Sequence, residues 1–199
     1  MTRRFVFIAL LMLIGVALAA QETDSPDVDV YGLGDQTFSI SAGALFPLFF
    51  LGIDGTVVGA NGHLRIGATG SLRWGGFLNN NLSVGAEVGG MFAQTVLRRT
   101  LIILPISGVI TYAIRFYPFE LLLHTTLGFD FVRLDNDLYV GPILKPGMSF
   151  YWNYNSEWSF GLRTEYWFTP EIYFGTDPPS TETTFGNFLS VTLSTLYHF

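Results

Sequence analysis

Eight successive runs of about 10 to 14 residues, spread from Gln36 to Phe199, alternate large apolar side chains with small or polar ones. In the first, residues 36–48, Phe38, Ile40, Ala42, Ala44 and Phe46 alternate with Thr37, Ser39, Ser41 and Gly43. In the last, residues 186–199, Leu189, Val191, Leu193, Tyr197 and Phe199 alternate with Ser190, Thr192, Ser194 and His198. Residues 62–77, 82–93, 104–117, 121–132, 138–152 and 158–168 follow the same rule. Successive side chains of a strand point to opposite faces, so a period of two predicts sheet with one apolar face.

The question is then what that face meets. Charged residues make up 13% of the chain, against about a quarter in a soluble domain, while aromatics reach 16%. Water is a poor solvent for such a surface. In lipid the backbone must satisfy its own hydrogen bonds, which leaves helices or a closed barrel. The most apolar stretch, Leu101 to Phe131, is broken by Pro105, Arg115, Pro118, Glu120 and Asp130, so no spanning helix fits it. The predicted fold is all-β: an antiparallel up-and-down transmembrane β-barrel of eight strands. A soluble lipocalin-like barrel competes, but it would turn the large aromatic face inward and expose the charges.

The chain before the first strand reads in two parts. Arg3 and Arg4, the apolar run Phe5 to Val16 and small residues at Ala17, Ala19 and Ala20 form a secretory signal. Cleavage after Ala19 places small residues at both recognition positions; cleavage after Ala20 puts Leu18 at one of them. The signal is therefore taken as residues 1–19. Residues 20–35, with Glu22, Asp24, Asp27, Asp29 and Asp35, are expected to be a disordered acidic tail in the periplasm, and residues 36–199 the barrel. The formal charge of −6 argues against nucleic acid as a partner, and the absence of cysteine means that no disulfide holds the fold.

Connections at Asn79 to Asn81, Pro118-Phe119 and Tyr154 to Ser156 are tight, whereas Pro47 to Asn61 and Thr169 to Thr183 are longer. Short periplasmic and longer external connections are the barrel pattern, which puts both termini in the periplasm. Arg65, Arg73, Glu87, Arg115, Asp130, Lys145, Arg163 and Glu165 all lie on the face opposite the apolar row, and Arg133 falls at a rim. Eight strands enclose just enough room for side chains to fill, so the eight charges are expected to form a paired interior network without an open pore. Three-residue turns place Arg73 opposite Glu87 and Lys145 opposite Glu165. A functional alternative is a proton or solute path along Arg115, Arg163, Glu165 and Lys145. Pro142 and Pro146 predict a bulge or irregular edge in the sixth strand.

The period-two strands, the signal and the last strand Leu193-Ser194-Thr195-Leu196-Tyr197-His198-Phe199 together resemble the small bacterial outer-membrane barrels of the OmpA, OmpX, OmpW and opacity-protein type. The resemblance implies an integral outer-membrane protein surrounded by outer-membrane lipid. It also implies that Leu193, Tyr197 and Phe199 are read by the barrel-assembly machinery. It offers a structural envelope role or, as in OmpW-like members, narrow passage of small hydrophobic solutes. The alternative is an adhesin contacting a host surface, as in OmpX-like and opacity-like members. The apolar connection Leu48 to Val58 leans toward the OmpW-like role, unless those residues simply extend the first two strands. No cofactor is expected and no enzyme: Asp54 and His63 lack the spacing of a catalytic rim site, and His63, His124 and His198 lie on separate strands without metal-site convergence.

Overall fold

The computed structural model describes residues 31–52, 55–59, 64–96, 99–134, 137–170 and 184–199, with the backbone alone at 134, 137–139 and 184. The signal with Ala19 and Ala20, the tail as far as Val30, Asp54 and His63 lie outside the described residues. The strands are β1 (Gln36–Gly52), β2 (Val57–Gly59), β3 (Gly67–Phe77), β4 (Leu82–Gln94), β5 (Thr100–Phe116), β6 (Phe119–Leu134), β7 (Asp137–Asn153), β8 (Trp158–Thr169) and β9 (Thr184–His198).

From β3 onward each strand pairs antiparallel with the next, β1 pairs with β3, and β9 returns to β1. Eight long strands therefore close an up-and-down barrel. At the seam Gln36 N donates to Phe199 O at 2.9 Å, and Phe199 N donates to Gln36 O at 3.0 Å. Closure leaves no long edge for the backbone to expose. The outward rows carry the large apolar residues: Leu127 is 64% exposed and Leu193 73%. The inward rows are buried, and the strand charges with described side chains lie there, apart from Arg133, which is exposed at the loop-end rim of β6. An apolar exterior around a polar interior is the arrangement of a barrel whose solvent is hydrocarbon, and it excludes the lipocalin-like alternative.

Aromatic side chains ring the outer surface at the end where the chain enters and leaves the barrel. Phe116, Phe119 and Phe150 contact one another, and Trp158, Tyr197 and Phe199 form a second row with centroids 4.8 and 5.8 Å apart. Amphipathic rings favour the level where hydrocarbon gives way to water.

Two of the tight turns are built by asparagine. In the first, Asn79 Oδ1 accepts from the N–H groups of Asn81 and Leu82 at 2.9 and 2.8 Å. In the other, Asn155 Oδ1 accepts from Glu157 and Trp158 at 3.0 and 2.7 Å. This second turn is Asn155 to Glu157, one residue later than Tyr154 to Ser156, because an asparagine closing an Asx-turn takes the first loop position in both. The β5–β6 turn is also displaced. Phe116 pairs with Phe119, so the turn is Tyr117-Pro118 and β6 starts before Leu121.

Two other expectations change, and of the two readings of the apolar connection the strand extension holds: β1 continues to Gly52, and β2 folds back onto Phe49 to Leu51, so the connection extends the sheet beyond the wall. Its one register shift lies between Pro47 and Phe49, and it turns Phe50 inward, edge-on to Phe188 at 6.2 Å. β3 begins at Gly67 rather than at residue 62: before it, Leu64 bridges to Thr95 and is buried, while Arg65 is exposed. The chain at 65 and 66 is not strand, so alternation cannot be carried through it. Finally, β7 contains no bulge. Pro146, which has no N–H, only interrupts its ladder with β8 between Leu144 and Gly147, with the register unchanged on either side.

Candidate functional site: the filled barrel interior

The interior has three levels. At the loop end the inward positions are apolar: Leu45, Leu64, Met91, Leu101, Ile103, Ile143, Trp167 and Phe188 pack into one cluster. At the terminal end Tyr31, Phe77 and Ala113 form a second cluster. Between them lies the polar layer.

Glu87, 1% exposed, is its centre. Arg73, directly opposite in the β3–β4 register, approaches it to 2.6 Å. Lys145 reaches it across the lumen, and Arg163 lies 3.3 Å away. Arg73 turns its guanidinium also to Glu165 at 2.8 Å, and His124 Nε2 sits 3.0 Å from the same carboxylate. Arg163 Nη2 donates to Ser39 Oγ at 2.8 Å, while Nη1 donates to Ser71 Oγ at 3.1 Å. The network thus draws on β1, β3, β4, β6, β7 and β8 and bridges the barrel from wall to wall. In a water-poor interior each of these attractions is far stronger than at a surface, and each charge would be costly alone.

Lys145 does not face Glu165. The one-residue displacement of the Asn155 turn puts Gly147 opposite Glu165; parity survives, so both still point inward. Lys145 instead pairs with Glu87, and its ammonium lies 4.7 Å from the Trp167 ring, where the polar layer meets the loop-end cluster. Asp130 is buried, in register with Pro105 and Gly141. Arg115 belongs to a separate group nearer the terminal end: it meets Glu120 at 3.2 Å, and its guanidinium covers the Tyr31 ring at 4.1 Å. Arg65, expected in the network, is exposed at the loop-end rim.

Glu120 and Tyr31 enter the site without having been anticipated. Glu120 shares the inward parity of His124, Thr126 and Asp130, and was missed because β6 starts at Phe119 rather than at Leu121. Tyr31 falls within residues 20–35, where the composition predicts a disordered tail. Instead Gly34, with φ of 98°, and the bond from Gly32 N to Asp35 Oδ2 at 2.7 Å turn residues 31–35 under the barrel mouth. Tyr31 then stacks on Phe77 at 4.3 Å and lies 2.6 Å from His198 Nδ1. Burial, with Glu120 nearby, pushes its phenol well above the ordinary range, so it remains a protonated donor. Above this floor a cavity of about 30 Å³ is lined by Arg73, Glu120, Arg163 and His198 among others, room for a water or two and no more. His124 and His198 fall in different levels.

The assembly residues are on the outward row: Leu193 and Phe199 are exposed and Tyr197 is half-buried.

A protein-family model matches residues 19–197. The chain belongs to that family. Its fold is that of the small eight-stranded outer-membrane barrels. Neisserial surface protein A superposes with a TM-score of 0.56 at 11% identity, over 83% of this chain and 97% of that one. The outer-membrane protein OprG from Pseudomonas aeruginosa gives 0.54 at 13% identity, over 87% and 99%. Ail, the attachment invasion locus protein of Yersinia pestis, gives 0.50 at 10% identity, over 84% and 99%. No curated protein matches the sequence. What this barrel shares with those structures is therefore architecture, and its interior has to be read from its own residues.

Proposed function

We propose that this barrel is an integral protein of the bacterial outer membrane that serves the envelope structurally, passes no ions, performs no catalysis and keeps both termini in the periplasm. The observation that carries the reading is Glu87, held by Arg73, Lys145 and Arg163 from three separate strands. An ion crossing the barrel would have to break this layer and then the apolar cluster beyond it. The outward apolar rows, the aromatic girdle and the likeness to outer-membrane proteins support the location. The exposed Leu193 and Phe199, beside Tyr197, suit recognition by the barrel-assembly machinery before the strand closes on β1.

The test is electrical. Purified barrel inserted into planar lipid bilayers should give no steps above the lipid baseline, and stepwise conductance in the unmodified protein sinks the sealed-barrel reading.

A second reading, narrow uptake of small hydrophobic solutes, is favoured by the loop-end cluster, where Phe50 and Val132 continue the apolar lining of Leu45, Ile103 and Phe188. Growth of a deletion strain on apolar carbon sources checks it: unchanged uptake removes it. The adhesin alternative predicts that exchanging the loop-end connections abolishes binding to host cells.

A further inference from the structure

The interior charges fall into two groups. Arg115 and Glu120 make the one near the terminal end, and Glu87 and Glu165 with their cations make the other. The cavity above the Tyr31 floor lies where the groups meet: Glu120 lines it from the first, Arg73 and Arg163 from the second. Phe77 and His198 line it too, and Tyr31 stacks on both, at 4.3 and 5.0 Å, so the floor covers the cavity on the side of the terminal mouth.

Two buried atoms of these lining residues make no hydrogen bond among the described residues, Glu120 Oε2 and Arg163 Nε. Glu120 accepts from Arg115 through Oε1. Arg163 donates to Ser39, Ser71 and Glu87 through its two terminal nitrogens. Ser83 and Thr111, opposite each other in the β4–β5 register, bring two hydroxyls to the same lining. A buried carboxylate oxygen left bare is costly, so the site calls for a ligand. An anion would meet Glu120, and a cation would meet Arg73 and Arg163. A neutral molecule that both donates and accepts suits all three. The volume of about 30 Å³ has room for about two waters, and the polar groups supply the two to four partners that a buried water needs.

We propose that this cavity is a site for ordered water, which donates to Glu120 Oε2, accepts from Arg163 Nε and takes Ser83 and Thr111 as further partners. The water joins the two charge groups into one hydrogen-bonded core. This extends the sealed-interior reading, which the conductance test judges separately.

The experiment uses the barrel with isotope-labelled arginine, refolded into bilayers of chain-deuterated lipid. Solid-state NMR reads the magnetisation that each arginine receives from water. Arg163, only 2% exposed, should receive it at Nε at short mixing times, as the exposed Arg65 does. Gly75→Ala supplies the contrast. Gly75 lines the cavity, and a Cβ there meets the Thr37 hydroxyl, which can rotate aside, at 3.3 Å and the Val84 carbonyl oxygen at 3.7 Å. The added methyl displaces water without touching a charge. Transfer should then be lost at Arg163 and kept at Arg65. The folded-to-unfolded ratio in urea should fall about tenfold, because Glu120 Oε2 loses its partner. A dry cavity gives the opposite sign, since a methyl placed in a void stabilises. Absence of transfer to Arg163 in the parent barrel overturns the site. So does unchanged transfer, or a raised urea midpoint, in Gly75→Ala. The parent spectrum decides the matter even if that variant fails to refold.

Discussion

At the scale of single residues, Glu87 is the most consequential side chain in the barrel. It is the shared partner of three buried cations, so truncating it leaves them facing one another in a medium that screens poorly. Glu87→Ala should cost about 3–5 kcal/mol, the range for breaking a buried ion pair by removing one partner. Urea titration of the barrel in lipid, followed by tryptophan fluorescence, measures this. Arg65→Ala provides the contrast: on an exposed rim it should stay within about 0.5 kcal/mol. If the two losses proved comparable, the assignment of Glu87 as the network's centre would be wrong. Alternation alone counted Arg65 and Arg73 as equals, because both have the same parity. They part because residues 65 and 66 leave the strand, which no pattern of apolar positions reports.

At the scale of the element, neighbouring strands approach so closely that inward side chains are forbidden at certain points. A Cβ at Gly85 would lie 2.0 Å from the Trp74 carbonyl oxygen, a backbone atom that cannot move aside without disturbing the β3–β4 ladder. At Gly76, only one rung away and outward, a Cβ meets nothing within 4 Å. Gly85→Ala should therefore reduce or abolish the heat-modifiable gel shift on refolding, while Gly76→Ala should refold like the parent. Turns act at the same scale. The Asn79 turn was legible from three consecutive asparagines, and the Asn155 turn could have been placed correctly by the same rule, asparagine first. Its displacement by one residue moves Lys145 from Glu165 to Glu87 without changing which face it occupies. Register errors that preserve parity are invisible to hydrophobic pattern.

At the scale of the molecule, the barrel is a polar core inside an apolar coat, the reverse of a soluble protein. Placing a cation on the coat should be expensive: Leu127→Arg, at an outward position midway along β6, should destabilise the barrel in lipid by about 2–4 kcal/mol. Urea midpoints in vesicles provide the measurement, and a loss below about 1 kcal/mol would be incompatible with a site near the bilayer midplane. The filled interior and the apolar coat divide the molecule's work between two surfaces. The inside holds the wall together, and the outside meets the membrane.

Alternation by itself determined that this chain makes strands, that eight of them form the wall, and which face of each is apolar, because a period of two permits only one geometry and charge cannot be left in hydrocarbon. It also fixed the inward direction of Arg73, Glu87, Arg115, Asp130, Lys145, Arg163 and Glu165. Turn length gave one contact, Arg73 opposite Glu87; the contacts across the lumen were decided by tertiary structure. Partners such as Arg73 and Glu165, or Lys145 and Glu87, meet across the lumen from strands that are not neighbours. Their distance depends on how the closed wall brings opposite sides together. The same holds for Tyr31, which closes the terminal mouth only because the finished barrel offers it Phe77, Arg115 and His198 to rest against.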